Sequence, residues 1–275
     1  MPTQAEKAAR FLALHKATEP FVIGNPWDAG SARILTGLGF RALSTTSAGL
    51  AFTLGRTDGT SSVSRAEALA NAKAIVEATT LPVAADLENG YGHQPEDASE
   101  TIRRAAEVGL VGGSIEDATG DRANPIYDFN HAVERVAAAA AGAHALPFPF
   151  MFVARAENYL HGRPDLDDTI RRLQAFEAAG AQVLYAPGIT KAEDIRTVCS
   201  SVNKPVNVLM GIKGVPMLSL QQLGALGVRR VSLGSGFARA AMTAFLHAAR
   251  EVHDQGTFTF TEDTMYMSEI VALFG

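Results

Sequence analysis

The stretch PVAADLENGYGHQPEDASETIRRAAEVGLVGGSIED (82–117) decides how this chain folds. PVAAD (82–86) and GGSIED (112–117) are short runs without apolar–polar alternation, so each reads as a strand buried on both faces. Between them, PEDASETIRRAAEVG (95–109) reads as a helix that opens on Pro and two acids and stops at Gly109, a residue suited to a left-handed cap. The three together make one parallel β/α unit. That unit recurs along the chain. Further candidate strands are FVIGN (21–25), ALSTT (42–46), FPFMFVAR (148–155), AQVLYA (181–186), PVNVL (205–209) and RRVSL (229–233), which brings the total to eight. Helical stretches at 64–80, 165–180 and 191–202 lie between them, and Gly39, Gly180 and Gly227 repeat the stop. Eight such units predict a (β/α)8 barrel of the TIM type, spanning 1–275 as one domain. A doubly wound open sheet is the competing architecture, and it accounts for the eightfold regularity less economically.

Composition narrows the function. A net charge of −5 over 275 residues excludes a broad basic footprint for nucleic acid or an anionic membrane. A single cysteine, Cys199, excludes an internal disulfide framework and a multi-cysteine zinc site. No apolar run approaches the ~18 residues of a membrane span. The first residues, MPTQAEKAARFLALHK, carry charges throughout and lack the apolar stretch of a signal peptide, so a cytoplasmic location is expected. After a helix at about 235–254 comes a C-terminal extension, 257–275. It holds Met265, Met267, Ile270, Val271, Leu273 and Phe274 outside the eight units. An apolar segment that the barrel does not need is expected to bury itself on another subunit. Packing across its own barrel is the alternative.

In such a barrel, polar residues at the C-terminal ends of strands face the active-site mouth. Strand two ends in Ser44-Thr45-Thr46-Ser47, strand three in Asp86 with Glu88 just beyond, and strand four in Glu116-Asp117. Strand five ends in Arg155 with Glu157 following, and strand seven carries Asn207 toward the substrate. Carboxylates crowded at one mouth repel each other unless a cation joins them. Hard oxygen donors without nearby His or Cys select Mg²⁺, with Mn²⁺ possible, and Asp86, Glu88 and Glu116 are the predicted metal set. Arg155 is placed to clamp a substrate carboxylate with its planar fork. The GSG at 234–236 is a weaker signal for an anion at a helix start. Cys199 reads as an inert thiol inside a helix.

The segments NPWDAGSA (25–32), STTSAG (44–49), DLENGYG (86–92), GSIEDAT (113–119) and ARAENY (154–159) resemble, in order, the isocitrate lyase and phosphoenolpyruvate mutase superfamily. The resemblance implies an Mg²⁺-dependent barrel acting on 2-oxo or 2-hydroxy carboxylates through an enolate-like intermediate. It also implies a homotetramer, built as a dimer of dimers that exchange the eighth helix. Carried over by motif, Asp86 is the direct metal ligand, and Glu88 and Glu116 hold the metal through water. Trp27, Thr46, Ser47 and Ala48 join Arg155 in binding substrate, and Asp58 is an acid on the loop after strand two. A gating loop falls at about 118–128. There the family lyases carry Lys-x-Cys-Gly-His, whereas this chain reads GDRANPIYD (120–128), with Arg122 at the lysine position and Asn124 at the cysteine position. Family mutases and the related phosphonate hydrolase carry Lys-x-Asn there.

Together these readings predict a lyase that cleaves a C–C bond adjacent to the carbonyl of a small 2-oxo or 2-hydroxy acid, with Arg155, Arg122, Asn124 and Asp58 in catalytic roles. Cleavage or rearrangement of a P–C bond in a phosphonopyruvate-like substrate is the alternative within enzymes. A non-catalytic 2-oxo acid binder is the alternative outside them.

Overall fold

The computed structural model describes residues 2–274 and contains eight parallel strands. They are β1 (Phe21–Ile23), β2 (Leu43–Ser44), β3 (Val83–Asp86), β4 (Gly112–Glu116), β5 (Met151–Arg155), β6 (Val183–Tyr185), β7 (Val206–Leu209) and β8 (Arg230–Ser232). Neighbours run β1-β8-β7-β6-β5-β4-β3-β2, and the ring closes at Gly24. The Gly24 amide donates to Ala42 O at 3.2 Å, and the Ser44 amide donates to Gly24 O at 2.8 Å. Each predicted strand is found, and the eightfold alternation is a nearly closed (β/α)8 barrel rather than an open sheet.

Two apolar layers hold the barrel. Outside the sheet, the helices Pro95–Glu107, Phe129–His144 and Leu166–Ala178 press alanine-rich faces and side chains such as Ile102, Leu173 and Phe176 onto the strands. Inside, Phe21, Ile23, Met151, Val153 and Val183 fill the lower barrel. An N-terminal helix, Gln4–Lys16, plugs this lower end, a role the sequence reading did not assign. Its start is fixed by a capping box between Thr3 and Glu6. Its buried stripe of Ala8, Phe11 and His15 has helical spacing and sets Phe11 and His15 edge-on to Phe21.

The chain leaves the barrel differently at its other end. Of the helix Gly236–Gln255, only Ala238 is buried, while Phe245 is 75% exposed. The helix Met267–Leu273 follows, with Tyr266, Met267 and Val271 exposed. This end touches its own barrel at the helix Ala29–Gly37, where Arg33 Nη1 donates to Phe274 O at 2.5 Å. Among the described residues, no helix is long and apolar enough to cross a membrane.

Candidate active site

The mouth is built by strand ends and the turns that follow them. Thr46 caps the helix Ser47–Thr53 by accepting from the Gly49 amide at 3.2 Å, which turns Ser47 and Ala48 toward the barrel axis. Gly49 is required there, because a Cβ would stand 2.6 Å from Thr46 Cγ2 and 2.9 Å from Trp27 Cβ. After β3 the chain turns with Glu88 (φ 47°) and Tyr91 (φ 58°) in the left-handed region, beside Gly90. For residues other than glycine this costs on the order of 1 kcal/mol each, strain of the kind that clusters at functional sites. Here it aims Glu88 into the mouth.

Arg155 is the hub. Its Nη1 meets Asp86 Oδ1 at 2.9 Å, its Nη2 meets Glu116 Oε2 at 3.1 Å and its Nε meets Glu157 Oε1 at 2.8 Å. The guanidinium lies 5.2 Å from the Tyr185 ring centroid. Ser47 Oγ donates to the other oxygen of Asp86 at 3.0 Å. Two cavities meet at this cluster, one of about 210 Å³ and one of about 180 Å³, and Ser47, Asp58 and Arg155 line both. Thr46, Ala48, Asp86 and Asn207 face the first, and Glu88, Glu116 and Glu157 the second.

The charges do not balance. Burial and the neighbouring Asp86 push the Glu88 carboxyl up to about 7 and raise that of Asp58. Burial likewise raises Glu116 and Glu157, against the pull of Arg155. Burial opposes the Arg155 charge too, but Glu157, Glu116 and Asp86 outweigh it and hold the guanidinium protonated well above its usual range. One cation thus serves a ring of five acids. A second cation is the physical remedy, and the all-oxygen donor set suits a hard divalent ion. Among the described residues, no three acid, imidazole or thiol groups converge to ligand distance.

Other expected residues lie further out. Trp27 is half-buried behind Gly49, where its carbonyl accepts from Asn71 Nδ2 at 2.9 Å, and it lines neither cavity. Arg122 and Asn124 are exposed on a hairpin closed by a bridge between Ala118 and Ile126, and they too line neither cavity. The base of that hairpin, Ala118 and Gly120, does reach the second. His93 bonds Tyr127 Oη through Nδ1 at 2.7 Å, outside both cavities. The GSG turn, by contrast, borders the first cavity through Gly234 and Ser235, and the Gly234 amide donates to Asn25 Oδ1 at 3.2 Å. Burial pushes the Cys199 thiol up to about 11, as an inert thiol requires.

The sequence reading passed over Asn25, Ser114, Tyr185, Arg230 and Ser232, which all line the first cavity. Asn25 also ties the barrel top together, donating to Ser44 O at 3.0 Å and accepting from the Leu233 amide at 2.8 Å. Its place in the NPWDAGSA motif was a usable signal.

An eight-stranded barrel with an acid ring around one arginine at its C-terminal mouth has the layout of a barrel enzyme's active site. Residues 11–253 match the phosphoenolpyruvate phosphomutase family, and the chain belongs to the isocitrate lyase/phosphoenolpyruvate mutase superfamily. It is an enzyme of the lyase and mutase class that this superfamily comprises. A Burkholderia cenocepacia J2315 protein provisionally classed as a lyase/mutase is 55% identical, with TM-score 0.95 over 99% of this chain and 96% of that one. An uncharacterized Mycobacterium tuberculosis H37Rv protein is 34% identical over 89% of both chains. An oxaloacetate decarboxylase of Bradyrhizobium diazoefficiens is 30% identical over 66% of this chain and 64% of its own.

Proposed function

We propose that this enzyme is an Mg²⁺-dependent lyase that cleaves the C–C bond adjacent to the carbonyl of a small 2-oxo or 2-hydroxy acid. The observation that carries the reading is the acid ring around Arg155, short of one cation and open to a cavity. When bound, Mg²⁺ or Mn²⁺ supplies a Lewis acid that stabilises negative charge on the substrate's oxygen. Asp86 would hold it directly, and Glu88 and Glu116 would hold it through water. Arg155 and the Thr46-Ser47-Ala48 turn bind the substrate carboxylate and stabilise the charge that develops as the bond breaks. Asp58, half-buried at the junction of both cavities, is placed to exchange a proton with the substrate. Closure of the hairpin over 118–128 brings Arg122 and Asn124 to the reacting group and excludes water. Similarity to an oxaloacetate decarboxylase extends the reading to loss of CO₂, in which the bond broken lies one carbon further out, β to the carbonyl, and an enolate is left behind.

One observation favours a second reading. The Arg-x-Asn of the hairpin is closer to Lys-x-Asn than to a cysteine motif, which fits P–C bond chemistry. Pyruvate release from oxaloacetate, set against pyruvate or phosphoenolpyruvate formation from phosphonopyruvate, each at equal Mg²⁺ with and without enzyme, separates the two. Product from neither refutes both readings for these substrates. The exposed apolar faces of Gly236–Gln255 and 257–275 support association as a homotetramer of helix-exchanged dimers, and on this reading 1–275 acts in the cytoplasm as one barrel domain with 257–275 as its extension. Deleting 257–275 is expected to lower the sedimenting mass, and an unchanged mass refutes that assembly.

A further inference from the structure

The barrel interior holds a second arginine that this mechanism leaves unused. Arg230 is 5% exposed, and its Nε and Nη1 are buried without a hydrogen-bond partner. No carboxylate pairs with it among the described residues, and Tyr185 is the titratable group that supports its charge. Burial lowers it to about 10, so it stays cationic at neutral pH. An unpaired buried charge costs several kcal/mol, and folds rarely keep one that nothing satisfies.

Its position is specific. Strand register puts Glu116 beside Arg155, Arg155 beside Tyr185, Tyr185 beside Asn207 and Asn207 beside Arg230. Because barrel strands tilt by about 36°, such a row descends from the mouth into the interior. Arg155 and Arg230 therefore line the same 210 Å³ cavity at different depths, with Tyr185 and Asn207 between them. Asn207 adds a further buried atom without a partner, Oδ1, while its Nδ2 bonds Ser232 Oγ at 2.9 Å. Ser44 and Ser114 place hydroxyls on the same wall.

We infer that Arg230 anchors a second carboxylate of the substrate, so that the enzyme takes a short dicarboxylic 2-oxo or 2-hydroxy acid with its far end down the barrel. The inference rests on the proposed binding of the first carboxylate at the mouth. A planar guanidinium matches a carboxylate, and the adjoining hydroxyls supply further donors.

Calorimetric titration of the intact, Mg²⁺-loaded protein with oxalate, malate and lactate tests it. The wild type is expected to prefer malate over lactate by about 10–100-fold, the scale of one charged hydrogen-bonded contact. Arg230→Met should abolish that preference while oxalate affinity stays within about 2-fold. Arg230→Lys, which keeps the charge, should retain part of the preference. A preference undiminished in Arg230→Met, with oxalate still bound, overturns the inference and leaves the mouth site standing. Equal binding of malate and lactate by the wild type overturns it as well, since a free inorganic anion or water then satisfies Arg230. Failure of the wild type to bind oxalate instead refutes the mouth reading, and this inference with it.

Discussion

Arg155 and Arg230 stand in one row of the same barrel, both buried, in opposite electrostatic company. Arg155 touches three carboxylates and lies within a ring of five. Arg230 touches none among the described residues, and the titratable groups coupled to its charge are Tyr185 and the neutral His15. The upper site is short of positive charge and the lower site short of negative charge. A ligand made of a divalent cation and a dianion corrects both deficits at once. An arginine's burial therefore says little about its role until its partners are counted.

Breaking the upper half should have the largest effect. Asp86→Asn removes the proposed direct metal ligand and weakens one Arg155 contact, so kcat/KM is expected to fall by at least about 10³-fold. The Mg²⁺-dependent rise in melting temperature with oxalate should vanish too. A variant that keeps that rise shows that the metal is held elsewhere.

A third buried arginine sharpens the contrast. Arg172 bonds Asp117 Oδ2 and Asp168 Oδ2, both at 2.9 Å, and donates to Tyr127 O at 3.1 Å, which ties helix Leu166–Ala178 to the end of β4. Its partners line neither mouth cavity. Arg172→Met should cost about 3 kcal/mol of stability by stranding buried Asp117, with oxalate affinity unchanged. Urea unfolding and calorimetry check the two halves, and weakened oxalate binding would make Arg172 part of the site.

Asp117 also shows what the sequence could not resolve. Glu116 and Asp117 read as one acidic pair at a strand end, yet successive strand residues point to opposite faces. Glu116 enters the barrel and meets Arg155, whereas Asp117 leaves it for Arg172. The eight strands were legible because doubly buried parallel strands are nearly unbroken apolar runs, and Asp86, Glu88, Glu116 and Arg155 because they end those runs. Arg230 begins its strand, where end-counting does not look. Two arginines opening RRVSL, one of which must face inward, were the available signal. The plug helix Gln4–Lys16 escaped because its charged residues hid a narrow stripe of Ala8, Phe11 and His15. Asp86 to Arg155 was readable from motif, but which side of the hairpin Arg122 takes depends on loop geometry that no spacing encodes.

That hairpin gives the next prediction. Arg122→Ala should lower kcat by roughly 10²-fold, the scale of one charge-stabilising donor. Oxalate affinity should change less than about 3-fold, since Asp86, Arg155 and the 46–48 turn remain. Equal losses in the two would make Arg122 a ground-state contact, and no loss would show that the hairpin stays as the structure places it.

The smallest effect is expected at the barrel floor. His15 is buried with Nε2 unpartnered, while Nδ1 bonds Phe11 O at 2.8 Å. Burial first, and then the Arg230 charge, lower its pKa to about 3 from an ordinary 6.5. The unfolded chain takes up a proton as pH falls through 6.5, and the folded chain does not until about 3. The stabilisation from neutral His15 is thus full above pH 6.5 and is lost progressively below it, at up to about 1.4 kcal/mol per pH unit. His15→Phe keeps the edge-on packing against Phe11 and Phe21 and removes the titration. Urea midpoints at pH 7.5 and 5.5 should therefore move less in the variant than in the wild type. If the variant follows the wild-type pH dependence instead, His15 does not carry it.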